Sequence, residues 1–299
     1  MSVSFVVAIC TRNRPVQVAQ TLEALRAQTR RGFPIVVVDQ SESVSTEVTS
    51  RAASDPLLSV IHDTGRGLSR ARNVAWRATS EDWLIFIDDD CVPNPDFTAA
   101  FARTVDEHPS IDMVSGHVGA RIRGIERPDD LVFSAFPVDE ERTVSGRWTH
   151  PSGVGFGVCF GVRRAMVDRL GGWDERLGPG VPDFPAADDM DFNFRMLRSG
   201  GVAHLTPELR SQHDQWRTRA EIVALYAGYT AAWTGLSVKI LRSGDPLAAA
   251  WLWWRGGPLF AGRMLLSAIR HRSRFRSRVA IHSAWAVLTG TRRALARPW

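Results

Sequence analysis

Apolar and polar positions in the first half of the chain follow two alternating rhythms. Short, nearly continuous apolar runs occur at 3–10 (VSFVVAIC), 34–39 (PIVVVD), 57–63 (LLSVIHD), 83–90 (WLIFIDDD) and 111–118 (IDMVSGHV). Such runs suit strands buried on both faces, as in a largely parallel sheet. Between them the apolar residues return at helical spacing. In RPVQVAQTLEALRAQT, Pro15 suits a first helical turn, and Ala19, Leu22 and Leu25 share one face. A second helix is predicted at 67–79 (GLSRARNVAWRAT) and a third from Pro95 (PDFTAAFARTV). This βαβ succession predicts an α/β fold with a Rossmann-type mixed, mostly parallel sheet flanked by helices.

Later segments are less regular. Residues 121–150 are polar and poorly periodic, which predicts a long loop over the crevice at the strand ends. GVGFGVCFGVRRAMVDRLGGWDERLG then predicts a glycine-studded strand, a short helix and a turn. Gly153, Gly155 and Gly157 would either clear one strand face for a substrate near Trp173 and Asp174 or permit tight sheet packing. Trp173 itself suits a sugar face or a buried core equally. A helix carrying ADDMDFNFRMLRSG, a strand in GVAHLTPE and a helix over 217–241 follow, with two or three amphipathic helices in the remainder.

Ligands of open α/β sheets collect at the carboxyl ends of strands, so Thr11, Asp39 and Asp88–Asp90 should face one crevice. In FIDDDCVP an apolar strand runs into three carboxylates, whose mutual repulsion a divalent cation relieves most simply. Alternation along an extended strand puts Asp88 and Asp90 on one side, where they could share such an ion or its waters. An acidic strand-to-loop turn is the plainer alternative. DTGRGLSRARNVA sets a glycine turn before a basic helix start, which suits phosphate oxygens or simply a solvated helix. Within it Arg72 and Asn73 point different ways, one toward a ligand and the other toward a local structural bond. CTRNRP and VVVDQS add Thr11, Arg14 and Asp39; a carboxylate at Asp39 can accept from a base N–H or a ribose hydroxyl, or merely end its strand. No GxGxxG follows the first strand, so a dinucleotide-binding reading lacks its fingerprint. Asp188, Asp189 and Asp191 stand where a helix begins, and three acids exceed what capping needs.

Composition widens the picture in two ways. With 299 residues and 44% hydrophobic content, the chain has room for a catalytic core and a smaller appendage. Its three cysteines show neither zinc spacing nor a disulfide framework, which fits a reducing, cytoplasmic setting, and MSVSFVVAIC reads as a first strand and not as a secretory leader. The net charge of +5 conceals a division: from Lys239 onward twelve Lys/Arg oppose the single Asp245, giving +11, and the rest carries −6. Two regions with different tasks are implied.

In order, VVAICTRNRP, VVVDQS, GLSRARNVA, FIDDDCVP, GGWDERLGPG and DDMDFNFR resemble the family 2 glycosyltransferases over roughly residues 3–215. The resemblance implies the GT-A fold of that family. The catalytic domain would cover 1–216, with a nucleotide-sugar half at about 1–118 and an acceptor half at about 119–216, followed by a helical extension at 217–299. It also implies nucleoside or donor contacts from Thr11, Arg14, Asp39, Arg72, Asp88 and Asp89. Asp90 becomes the principal ligand of Mg2+ or Mn2+, joined by Asp88 and His213. Asp189 becomes the catalytic base, with Asp188, Trp173 and Asp174 on the acceptor side. The family's usual Glu is Asp188 here. The implied reaction is an inverting transfer from a nucleotide-diphosphate sugar to a glycan or lipid-linked acceptor of a cell-surface precursor. The QxxRW hallmark of processive relatives is absent, which implies one sugar per encounter. A nucleotidyltransferase is the rival enzyme, although CTRNRP lacks its glycine-rich phosphate loop; a non-catalytic membrane scaffold would need neither acidic cluster.

The tail PLAAAWLWWRGGPLFAGRMLLSAIRHRSRFRSR is apolar in patches but broken by Arg255, Gly256, Gly257, Pro258 and Arg263, so a spanning helix is not expected. Trp251, Trp253 and Trp254 beside an arginine run suit an interfacial helix on anionic lipid, at the inner face of the cell membrane. Packing on the core or on a second subunit is the alternative. Nucleic acid is not expected, because no recognisable binding module accompanies the basic run.

Overall fold

The computed structural model describes residues 3–122, 135–215 and 217–299. Its elements alternate as the apolar rhythm requires: β1 (Phe5–Thr11), α1 (Pro15–Arg26), β2 (Ile35–Asp39), α2 (Thr46–Ser54), β3 (Leu58–His62), α3 (Leu68–Ala78), β4 (Trp83–Asp88), β5 (Cys91–Pro93), α4 (Phe97–Glu107) and β6 (Met113–Ile122). After these come β7 (Arg142–Val144), β8 (Cys159–Arg163), α5 (Arg164–Leu170), α6 (Asp188–Arg198) and β9 (Ala203–Gln215). Four long helices close the chain: α7 (Arg219–Arg242), α8 (Pro246–Gly256), α9 (Pro258–Arg270) and α10 (Arg274–Leu295).

One mixed sheet runs β3-β2-β1-β4-β8-β6-β9-β5, with β7 on β9. Strands β3, β2, β1 and β4 pair in parallel, and β8, β5 and β7 pair antiparallel to their partners. The strand expected near 111–118 therefore lies in the antiparallel half, where β6 pairs with β8. Phe5, Val7 and Ile9 feed one apolar layer while Val6 and Ala8 feed the other. That two-sided burial explains why these runs do not alternate with polar residues.

The chain leaves β1 toward β2 and β3, then returns to β4 on the other side of β1. This reversal opens a crevice between the carboxyl ends of β1 and β4, the usual ligand position of an open α/β sheet. The parallel registers align Thr11 with Asp39 and Cys10 with Asp88, so the expected residues do meet at one edge.

Gly153, Gly155 and Gly157 lie in a 3-10 turn and loop ahead of β8 and not in a strand, so they clear no strand face. The loop expected over 121–150 contains β7, and its middle lies outside the described residues, as does Trp216. β9 continues past GVAHLTPE to Gln215, and α2 fills a segment whose sparse apolar residues gave no helical signal.

The described residues group into two compact units. One holds the sheet with α1–α5 and all but the first residue of α6. The other holds α7–α10 together with Glu175–Asp188. In this second unit Asp183 is paired with Arg293 and Arg297, and Phe184 packs on Trp299 at 5.2 Å, which ties the segment to the end of α10. Thr218 and Glu221 form a capping box at the start of α7.

Candidate active site

β4 ends at Asp88, and the chain turns at Asp89 and Asp90 before β5. The strand alternation that would have paired Asp88 with Asp90 therefore stops too early. The three carboxylates take three different partners. Asp88, with a side chain 28% exposed, faces the crevice with the Arg72 guanidinium 3.8 Å away. Asp89 turns inward, accepting from Thr11 Oγ1 at 2.7 Å and Arg14 Nη1 at 2.9 Å. Asp90 accepts from the same Arg14 nitrogen at 3.1 Å and lies 3.3 Å from His213 Nε2.

His213 arrives through strand pairing, because antiparallel β5 and β9 put it opposite Cys91. Asp90, Cys91 and His213 bring one potential ligand atom each to within 4.8 Å of one another, all buried. Burial raises the Cys91 pKa well above its ordinary value, and sulfur is in any case a soft donor ill matched to a hard cation. Asp90 and His213 remain as the fitting donors. Asp88, expected as a further ligand, lies outside this tight cluster and beside Arg72.

Electrostatics in the turn are finely set. Burial pushes the Asp89 carboxyl up to about 6; Arg14 opposes that rise and Asp90 adds to it. Burial works against the Arg14 charge as well, but Asp89 and Asp90 raise its pKa. Arg14 thus supplies the positive charge that lets two buried acids coexist.

Arg72 is 1% exposed, sandwiched near Phe86 and Phe160, with Nη2 donating to Gly157 O. It reaches the crevice from within the core and holds neighbouring protein groups. Gly157 N in turn donates to Asp189 Oδ2 at 2.8 Å. A Cβ on Gly157 would stand 2.9 Å from Arg72 Nη2 and 3.0 Å from the Asp189 Cβ, so the close approach itself requires glycine. The glycines were conspicuous in the sequence, but this bridge was not.

At the start of α6 the acids divide. Asp188 and Asp191 are buried, and Asp191 accepts from Arg195 Nε at 2.8 Å. Asp189 alone is partly exposed, its Oδ1 accepting from Met190 N at 2.8 Å. Trp173 belongs to the core: it is 3% exposed, and its ring stacks on Phe192 at 4.5 Å. Asn73 fixes its backbone by accepting from Trp173 N and donating to Trp173 O, at 2.8 and 2.9 Å. Trp173 therefore presents no open face to a sugar, contrary to the expectation, whereas Asp174 beside it is half-buried.

Asp39, buried, accepts from Ser41 N at 2.8 Å. Next to it lies a network that sequence reading missed: Gln40 Nε2 donates to Asp63 Oδ2 at 2.9 Å, and Arg70 forks onto the same carboxylate. Burial opposes the Asp63 charge, but bonds from Arg70, Gln40 and the Gly65 N–H hold its pKa below the ordinary value. Gly67, at φ 119, then starts α3 in a conformation that side chains avoid. The signal available was HDTGRG, an acid and two glycines directly after a strand.

Glycosyl transferase family 2 matches residues 6–171, more than half of the chain and the whole stretch that carries the acidic turn. The chain belongs to this family. This family 2 glycosyltransferase is 23% identical over 186 residues to an uncharacterized glycosyltransferase of Haemophilus influenzae, covering 62% of this chain and 59% of that relative. It spans less than two thirds of that protein's length. A glucosyl-dolichyl phosphate glucuronosyltransferase of Haloferax volcanii is 29% identical over 250 residues, covering 81% of this chain and 77% of its own. Among solved structures, the mannosyltransferase PcManGT from Pyrobaculum calidifontis, in complex with GDP-Man and Mn2+, has a TM-score of 0.62 at 18% identity and covers 97% of this chain and 87% of its own. That likeness identifies the mixed α/β architecture of this glycosyltransferase as the GT-A fold.

Proposed function

We propose that this glycosyltransferase moves one sugar from a nucleotide-diphosphate donor to a hydroxyl of a glycan or lipid-linked acceptor, with inversion at the anomeric carbon. One observation carries the reading: the partly exposed Asp189 is joined through Gly157 and Arg72 to Asp88, so a carboxylate is coupled to the donor side of the crevice. The nucleotide-sugar half is assigned to about 1–118, the acceptor half to about 119–216 and the helical extension to 217–299.

Asp39 and Thr11 face the nucleoside from adjacent strand ends. Asp88 and Asp89 flank the ribose and phosphates, and Arg14 adds positive charge there. Asp90 and His213 would hold a divalent cation, whose chemistry is Lewis-acid neutralisation of the departing diphosphate. A carboxylate with an imidazole suits Mn2+ better than Mg2+. Asp189 takes the proton of the acceptor hydroxyl as that oxygen bonds to the anomeric carbon and the bond to the diphosphate oxygen breaks. The bonds it accepts from the Gly157 and Met190 backbone N–H groups fix its orientation. The half-buried Asp174 stands on the acceptor side. The dolichyl-phosphate substrate in the Haloferax relative's name supports a lipid-linked acceptor, and GDP-Man with Mn2+ in the Pyrobaculum structure supports the donor and metal classes.

The helical extension suits an anionic membrane surface. No helix among the described residues is long and apolar enough to cross a membrane. Yet Leu265, Leu266 and Ile269 on α9, and Ile281, Trp285 and Leu288 on α10, are exposed beside a strongly basic run. Apolar side chains among arginines match a peripheral, inner-face position on lipid. A second copy of the chain is the competing occupant.

A panel of nucleotide-sugars tested for metal-dependent stabilisation and turnover decides the catalytic reading. Asp90→Ala should lose metal-dependent donor binding, and Asp189→Asn should keep binding while kcat falls about 10²- to 10⁴-fold. Unchanged turnover in Asp189→Asn would reject the base assignment.

A further inference from the structure

β9 carries two buried histidines, and only His213 belongs to the crevice. His204, nine positions earlier, lies roughly 30 Å away along an extended strand. His108, Glu141 and His204 bring potential ligand atoms to within 4.8 Å of one another. The three come from separate elements that the fold draws together. His108 ends α4, and the turn after it is tied to the residue just before β9 by Asp112 N donating to Val202 O at 2.7 Å. Glu141 immediately precedes β7, whose Thr143 stands opposite His204 in the antiparallel register.

We propose that His108, Glu141 and His204 form a zinc site separate from the catalytic crevice. His204 is 3% exposed, yet its Nε2 is buried with no hydrogen-bond partner. An orphaned imidazole nitrogen inside a protein is costly, and a metal ion is a direct way to satisfy it. The opposite nitrogen is already fixed: His204 Nδ1 lies 3.2 Å from Thr143 Oγ1. With Nδ1–H donating to that hydroxyl, the Nε2 lone pair is left for a metal, the usual outer-shell arrangement of a ligating histidine. Glu141 is oriented likewise, Oε1 accepting from Thr206 Oγ1 at 3.0 Å.

The His108 ring lies against the His204 ring, with centroids 4.0 Å apart, so the second imidazole is already at the cluster.

Two imidazoles and a carboxylate suit zinc, and the softer donors disfavour Mg2+ or Ca2+. Bonds of ~2.0–2.1 Å at tetrahedral angles place ligand atoms about 3.3 Å apart. Zinc binding would require the half-buried His108 and exposed Glu141 side chains to rotate about the buried His204, with His108 leaving its stack on that ring. Three protein ligands leave one position to solvent, and the site clamps the end of α4 to β7 and β9.

The test uses the full chain stripped with a chelator and titrated with Zn2+ alone, followed by calorimetry, elemental analysis and thermal melting. The expected result is one equivalent bound at this site, with a raised Tm. His108→Ala and His204→Ala should each weaken it at least tenfold, and Thr143→Val, which removes only the outer hydroxyl, about tenfold. His108 is the safest readout for folding because it is only half-buried. An Asp90→Asn variant must still bind this equivalent, since its loss is confined to the crevice. Zinc that persists in His108→Ala and vanishes in Asp90→Asn belongs to the catalytic cluster and overturns the proposal. So does wild-type protein that binds no zinc.

Discussion

At the carboxyl ends of β1, β2 and β4 charge is taken into the interior, whereas on α9 and α10 apolar side chains are left outside. Arg72, Asp89 and Asp90 are buried in the sheet unit; Leu266, Ile269 and Trp285 are exposed in the helical unit. Burying charge costs stability, whereas an apolar side chain left in water forgoes the gain of burial. In the sheet unit the cost is offset internally, by Arg14 across Asp89 and Asp90 and by Arg72 against Gly157 and Asp88. Among the described residues, the outward leucines of the helical unit remain exposed. A site that performs chemistry needs a preorganised interior, and a surface that meets lipid or protein completes itself outside the chain.

The sharpest way to break the internal half of this comparison is Gly157→Ala. Its Cβ would collide with Arg72 and Asp189 together, pushing the base from the position those bonds define. A displacement near 1 Å costs about 10²-fold in kcat. Steady-state kinetics should show this loss with donor affinity much less affected. Equal losses in both would mean that Gly157 serves the donor cradle more than the base.

The external half is tested by Ile269→Glu with Trp285→Glu. Both side chains point to solvent, so the fold and turnover on a water-soluble acceptor should be unchanged. Pelleting with anionic vesicles should fall about tenfold or more, each lost apolar side chain being worth about 1.5–3 kcal/mol when fully buried. Raised salt should weaken the wild type as well. A change from dimer to monomer in sedimentation, with no vesicle binding by either protein, would replace lipid by a second copy.

How far the sequence disclosed these two regions follows from the range of the interactions. Strands β1–β4 were legible because burial on both faces writes itself as unbroken apolar runs, and the crevice followed from the acids and Thr11 that end them. The acid-rich start of α6 was equally local. Which of its acids stays accessible was not, because Asp191 is consumed by Arg195 only once the helix has formed. Strand alternation misled at Asp88–Asp90, where the chain turns one residue too soon for the pattern to continue. Gly157 lies 85 residues from Arg72 and 32 from Asp189, so no periodicity could link them. His108, Glu141 and His204 are likewise joined only by the pairing of β7 with β9 and the docking of the turn after α4. Trp173 shows the reverse: an aromatic beside two glycines invites a sugar, but the stack on Phe192 makes it core.

The most gradual expected effect concerns pH and isolates the cost of burying charge. The Asp89 carboxyl titrates near 6 in the folded chain against an ordinary 3.8, so between those values the folded state binds more protons than the unfolded one. Stability of the metal-free protein must therefore fall as pH rises through that window and level off above it. For one group the slope is at most about 1.4 kcal/mol per pH unit. Urea midpoints measured from pH 4.5 to 7 should show this decline in the wild type and lose that component in Asp89→Asn, which carries no titrating carboxyl. Variants of the exposed α9 and α10 side chains should keep the wild-type slope, because no buried charge is altered there. A slope that survives Asp89→Asn would move the cost of the acidic turn to another group, and the contrast between an internally balanced site and an externally completed surface would have to be redrawn around it.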